Sequence, residues 1–228
     1  MNNNSINWQF FKNAEAVAYE TYQRILTLSK QTIDKKGSFK IVLAGGNTPK
    51  QTYQLLKAAD THWSHWHVYY GDERCLPEND RERNSLMAAQ VWLDHLAIPA
   101  TQIHPIPAHL GPIEAARCYT DIVNKALPFD MVLLGMGEDG HTASLFPGHR
   151  HAQNELVHAV FNAPKPPLER VSLSRASLCN TKELLFLVTG AGKQEAVKAW
   201  RHGKDLPIAQ IRPTNGGTVL IDKAAYGE

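Results

Sequence analysis

The chain is poor in cysteine, with three thiols in 228 residues, and it has no apolar run approaching the eighteen or so residues that span a bilayer. An odd, widely spaced set (Cys75, Cys118 and Cys179) does not suit a disulfide framework. It points to reduced thiols, each read as a small buried side chain, and to a cytoplasmic protein. Without a long apolar run, no membrane partner is expected. The start, "MNNNSINWQF", lacks the basic, apolar and small-residue regions of a signal peptide. Neither sign of charge is in excess: 24 basic residues face 22 acidic ones, so a nucleic-acid partner is not expected either. Repeats, low-complexity tracts and linkers are also missing, and residues 1–228 read as one domain. With 43% hydrophobic residues the chain has enough apolar material for a packed core.

Histidine, by contrast, is abundant, at eleven residues. "HWSHWH" groups His62, His65 and His67, and His149 and His151 flank Arg150. Neither H-E-x-x-H nor C-x-x-C accompanies them, so no metal site is expected.

Two kinds of segment alternate. "FKIVLA" (39–44), "WHVYYG" (66–71), "FDMVLLG" (129–135) and "LLFLVTG" (184–190) are short apolar runs that suit strands buried on both faces. Between them, helical patterns cover roughly 10–34, 49–59, 82–96, 112–126 and 193–202. The alternation predicts an α/β, Rossmann-like doubly wound fold, with a mostly parallel sheet flanked by helices. Residues 150–182 read as strands, or as a strand and a short helix, around the Pro-rich "APKPPLER". The P-x-x-P spelled by Pro164 and Pro167 is read there as a rigid loop.

Each predicted strand runs into polar or glycine residues: Gly45-Gly46-Asn47-Thr48-Pro49, Asp72-Glu73-Arg74, Gly135 to His141, and Ala191-Gly192-Lys193. In a parallel sheet these ends share one edge, where open α/β folds bind ligands. Gly135-Met136-Gly137-Glu138-Asp139-Gly140 spells G-x-G-x-x-G, the dinucleotide fingerprint. Glu138 and Asp139 would repel a pyrophosphate, Pro147 interrupts the required helix, and no acidic strand end follows at the right distance. A dinucleotide is therefore excluded.

A better anion cradle is "GGNTP". Gly45 and Gly46 let backbone N–H groups approach a ligand, with Thr48 as expected N-cap and Pro49 as first helical residue. Lys193 in the first turn of a helix opposes the macrodipole, which favours an anion nearby. Walker spacing is missing, so one phosphate group is expected. His141, whose type titrates nearest neutrality, is the candidate general base, oriented by Asp139. Arg74 is expected to stabilise developing negative charge, and Asp72 to fix that arginine or a water. No G-x-S-x-G elbow is present, so activated water is expected as nucleophile. Cys75 beside Arg74 is a weaker candidate nucleophile.

"GGNTP", "YYGDER", "RNSLM", "LLGMGEDGHTASLFPG", "PKPPLERVSLS" and "TGAGKQEAV" closely resemble 6-phosphogluconolactonases, from about Val42 to Ala199. The resemblance implies hydrolysis of 6-phospho-D-glucono-1,5-lactone, a phosphosugar lactone, without metal or organic cofactor. It also implies a Rossmann-like sheet shared with glucosamine-6-phosphate deaminases. Those relatives follow D-G-H with an asparagine-glutamate-proline stretch, whereas Phe146 precedes Pro147 here, which favours the lactonase. By motif, His141 would be the base, with Asp72 and Arg74 around the lactone. Gly45, Gly46, Asn47, Thr48 and Lys193 would hold the phosphate, joined by Arg170. Many relatives carry serines beside the two glycines, where this chain has Ala44 and Asn47. A monomer or weak homodimer is expected. The competing readings are a sugar-phosphate deaminase or isomerase and a non-catalytic sugar-phosphate sensor. The N-terminal 40 residues are too short and too neutral to supply the DNA-binding module such a sensor needs.

Overall fold

The structure is a computed structural model that describes residues 6–227. In chain order its strands and helices are β1 (Ile6–Phe11), α1 (Ala14–Lys36), β2 (Phe39–Leu43), α2 (Asn47–Leu56), β3 (Trp66–Tyr70), β4 (Asp72–Arg74), α3 (Asn84–Val91), β5 (Ile103–His104), α4 (Pro112–Ala126) and β6 (Phe129–Gly135). There follow β7 (Val157–Val160), β8 (Arg170–Leu173), α5 (Arg175–Cys179), β9 (Thr181–Val188), α6 (Gln194–Arg201), β10 (Gly217–Asp222) and α7 (Lys223–Tyr226).

Seven strands form one sheet in the order β1-β10-β9-β6-β2-β3-β5, and every pairing in it is parallel. The fold is therefore the α/β architecture read from the alternation. β6 carries six consecutive buried residues before Gly135, as a strand covered on both faces must. α1 buries Val17, Thr21, Ile25, Ser29 and Ile33, a four-residue repeat that keeps one stripe inward. Its ends are closed locally: Asn13 accepts from the Ala16 N–H at 3.1 Å, and Gly37, at φ 81°, donates to the Ile33 carbonyl.

Three sequence expectations need correction. The helix expected from residue 10 starts at Ala14, because Ile6–Phe11 is an edge strand paired with β10. Its alternating, half-exposed side chains carry little of the apolar signal that marks an interior strand. β10 is likewise missing from the strands marked by the sequence pattern, although its "VLI" is fully buried. The helix expected over 82–96 is α3 followed by a separate 3₁₀ turn, Leu93–His95.

Residues 150–182 resolve into β7, β8 and α5. Together with β4, the two strands form an antiparallel three-stranded sheet in the order β4-β8-β7. Its buried apolar residues join the same cluster as those of the large sheet. The chain passes from β3 to β4 through Gly71 alone. The Gly71 N–H donates to the Leu43 carbonyl at 3.0 Å, and its own carbonyl accepts from Leu173 at 2.8 Å. One residue thus ties the C-terminal edge of the large sheet to the small one.

Candidate active site

From β2 the chain moves outward through β3 to β5, then returns to β6 on the other side of β2 and continues to β9 and β10. The strand order reverses between β2 and β6, and such a reversal opens a crevice at the C-terminal strand ends. A cavity of about 240 Å³ lies there. It is lined by Gly45 and Gly46 after β2, Asp72 and Arg74 of β4, Glu138 and His141 after β6, Arg170 of β8 and Lys193 before α6. Eight of the ten site residues expected from sequence are thus brought together or, for Asp139, put in contact with a lining residue.

Two are not. Asn47 and Thr48 do not line the cavity, and the Thr48 hydroxyl instead lies 2.5 Å from that of Thr189. The cap also lies two residues earlier than expected. Gly46, at φ 107°, caps α2, while Thr48 is already helical and makes no capping bond. Gly46 adopts this backbone because it has no Cβ, and the amide end of α2 is left facing the cavity edge.

His141 sits on a tight turn, not on a nucleotide-binding helix. The Gly137 N–H donates to the His141 carbonyl at 2.8 Å, and Gly140 donates to Gly137 at 3.1 Å. No helix occurs between β6 and α5, so the G-x-G-x-x-G spelling does not open a nucleotide-binding helix. Gly137 is needed for another reason: a Cβ there would collide with the His141 imidazole. The His141 Nδ1 is 2.5 Å from Asp139 Oδ1, which also accepts from the His141 backbone N–H at 3.1 Å. A carboxylate only accepts, so Nδ1 carries the proton and Nε2 is left with its lone pair. Burial opposes ionisation of Asp139, but the N–H and charge of His141 outweigh it and hold the carboxyl below its usual range.

The opposite bank is a side-chain network. Buried Asp72 accepts from Ser144 Oγ at 2.6 Å and from Asn84 Nδ2 at 3.1 Å. Asn84 Oδ1 in turn accepts from Arg74 at 3.1 Å, and Arg74 also donates to the Glu82 carbonyl. Asp72 is therefore linked to Arg74 through Asn84. The Arg74 Nε is buried without a partner, a donor the fold itself leaves unused.

Beneath this network lies fully buried Glu73. It accepts from the N–H groups of Arg74, Asn84 and Ser85 at 2.8–2.9 Å and from Ser85 Oγ at 2.7 Å, with Arg83 Nε 3.4 Å away. Two of those donors are the first amides of α3, so a carboxylate from β4 caps that helix.

Arg170 begins β8 and is held by the loop before it, donating to the carbonyls of Lys165 and Pro167 at 2.9 and 3.1 Å. Lys193 occupies a 3₁₀ turn, Ala191–Lys193, before α6. Burial first, then the charge of Lys165, push its pKa below the usual lysine value, against the pull of Glu138 and Asp139. Lys165, itself lining the cavity, lies 3.3 Å from Glu138.

Glu73, Asn84, Ser144 and Lys165 belong to the lining of the cavity or to the network beside it, and residue-by-residue reasoning passed over them. Their signal was present only as parts of motifs, "YYGDER", "RNSLM", "GHTASLF" and "PKPP". Burial, then the nearby Glu169 and Glu73, push the Cys75 thiol up to about 11, which disfavours the thiolate that a nucleophile needs. All three cysteines are free and half-buried, less covered than the buried side chains expected. Among the described residues no cluster of three or more His, Cys, Asp or Glu is arranged to hold a metal ion, and no helix is long and apolar enough to cross a membrane.

A parallel α/β sheet with an oriented imidazole and several cations at its switch point has the make-up of an enzyme site for an anionic substrate. The chain belongs to the family described as glucosamine-6-phosphate isomerases/6-phosphogluconolactonase, which matches residues 12–220. It is 36% identical over 217 residues to a 6-phosphogluconolactonase of Nostoc, covering 90% of each chain. To one of Mycobacterium tuberculosis it is 34% identical over 237 residues, covering 95% of this chain and 96% of the other. The crystal structure of 6-phosphogluconolactonase from Thermotoga maritima superposes with a TM-score of 0.89 at 25% identity, covering 96% of this chain and all of the other. A monomeric glucosamine-6-phosphate deaminase shares the fold, with a TM-score of 0.82 at 21% identity and coverage of 97% and 99%.

Proposed function

We propose that the chain hydrolyses 6-phospho-D-glucono-1,5-lactone to 6-phosphogluconate, the lactonase step of the oxidative pentose phosphate pathway, with His141 as general base. The names of its relatives support the reaction. The observation that carries the residue roles is the His141–Asp139 contact at the mouth of a cation-lined cavity. The shared core of the two sheets supports reading the chain as one domain.

His141 Nε2 takes a proton from water as the water oxygen adds to the lactone carbonyl carbon. Asp139 holds the ring and stabilises the imidazolium that forms. The Arg74 guanidinium, which lines the cavity, stabilises the developing oxyanion. The bond from that carbon to the ring oxygen then breaks, and His141 returns the proton to the departing oxygen as it becomes a hydroxyl. The acid formed ionises in water. Lys193, Arg170 and the amides of Gly45 and Gly46 hold the 6-phosphate, with the α2 dipole adding to the attraction.

General-base help is typically worth about 10²–10⁴-fold and an oxyanion donor about 10²–10³-fold. A lactone already opens in water, so these factors suffice. A pH-stat or coupled assay on freshly made lactone, with background opening subtracted, should show saturable acceleration. Ammonia release from glucosamine 6-phosphate, or product binding without any acceleration, would replace this reading with the deaminase or the sensor.

A further inference from the structure

Behind Phe146 lies a second and larger cavity, about 630 Å³ against 240 Å³, and none of its lining residues lines the first. The Phe146 ring is the partition, 4.8 Å from the His141 ring on one side and 5.5 Å from that of His149 on the other.

The walls are strongly one-sided in charge. Arg150 and Arg175 line the cavity, and among the described residues neither pairs with a carboxylate. The single lining carboxylate, Asp205, is engaged by Gln210 at 2.8 Å. Three imidazoles complete the polar wall: His151 stacks on His158 at 4.4 Å, and His149 lies 6.2 Å from His151. His151 Nε2 is buried with no hydrogen-bond partner. Burial, then His158 and His149, push the His151 pKa down to about 4, so the ring offers neutral hydrogen-bonding groups. Leu145, Phe146 and Ile211 make the apolar side.

Small-molecule sites typically measure about 300–1,000 Å³ and combine an apolar wall with a few polar groups. Guanidinium forks match phosphate oxygens in geometry and charge. We propose that this second cavity binds a small organic phosphate, with Arg150 and Arg175 on the phosphate and the Leu145–Phe146 wall on the organic part. The assignment stands apart from the reaction at His141, because the two cavities share no residue.

The test is a titration of ¹⁵N-histidine-labelled full-length protein with inorganic phosphate and with phenyl phosphate, followed by imidazole NMR. His141 reports the first cavity; His149, His151 and His158 report the second. In the unaltered protein the latter three resonances should move saturably, and phenyl phosphate should saturate them at lower concentration than inorganic phosphate. In the Arg150→Glu/Arg175→Glu variant their response should weaken about tenfold or more, while the His141 response persists. Because His141, His67 and His104 report the fold independently, a misfolded variant is recognised, and Arg150→Gln/Arg175→Gln then replaces it. Resonances that stay still while His141 responds, or that move undiminished in the variants, overturn the proposal. Equal saturation by the two probes overturns the organic part of it.

Discussion

The two banks of the candidate active-site crevice are built by different means. On the bank of β2 and β6, geometry comes from the main chain. Gly45 and Gly137 leave room for neighbours, Gly46 takes a positive φ, and the His141 turn is closed by two backbone hydrogen bonds. On the bank of β4, α3 and β8 it comes from side chains, with Glu73, Asp72, Asn84, Arg74 and Ser144 joined in one largely buried network. Backbone geometry tolerates exposure to water, so the first bank can present a half-buried imidazole. Charged side chains hold a fixed geometry only when burial and complete pairing remove alternatives. The second bank therefore sits over a fully buried carboxylate.

The largest effect is expected from emptying the first bank. His141→Ala should lower kcat by about 10²–10⁴-fold while affinity for 6-phosphogluconate persists; near-normal turnover of the purified variant would remove the base from the mechanism. Next is the foundation of the second bank. Glu73→Ala leaves Arg83 and the first amides of α3 without their partner and should lower stability by about 3–5 kcal/mol, read as the shift in a urea unfolding curve. A loss below about 1 kcal/mol would show that the network is not held from beneath.

The contact between the banks can be broken from either side. A Cβ at Gly45 meets the Asn84 carboxamide, and a displacement of about 1 Å is worth roughly 10²-fold in rate. Gly45→Ala should therefore lower kcat/KM by about that factor. In Gly45→Ala/Asn84→Ala the clash is gone, so the two losses should fall well short of additive. Strict additivity would mean the banks do not touch functionally.

Lys193→Ala should mainly raise KM, by about tenfold or more, because a phosphate remote from the reacting carbon contributes mostly uniform binding. An unchanged KM would take Lys193 out of the phosphate site. The smallest effect concerns pH. Lys193 is charged below its pKa, and that pKa is lowered in the folded protein. KM should thus begin to rise on the alkaline side before an ordinary lysine would titrate, and Lys193→Arg should abolish the rise. A wild-type KM flat through that range would contradict the assignment.

Much of this was legible in one dimension. The interior strands β2, β3, β6 and β9 announce themselves because both faces are buried, and a parallel sheet puts all their outgoing turns on one edge. His141 and Asp139 are two residues apart, so their contact is local and readable. β1 escaped because an edge strand needs no continuous apolar run. Glu73, Asn84 and Ser144 escaped because their partners lie up to 72 residues away, and nothing local distinguishes them from ordinary polar loop residues.

The order of apolar runs and turns in the chain was enough, alone, to determine the α/β class, the edge where the cavity opens and the histidine-bearing turn, because burial periodicity and glycine placement are properties of neighbouring residues. Which polar groups meet across that edge, and which are held still, was decided only by the tertiary structure. Hydrogen bonds between distant segments depend on three-dimensional distance, and the small β4-β8-β7 sheet creates that proximity by folding back across Gly71.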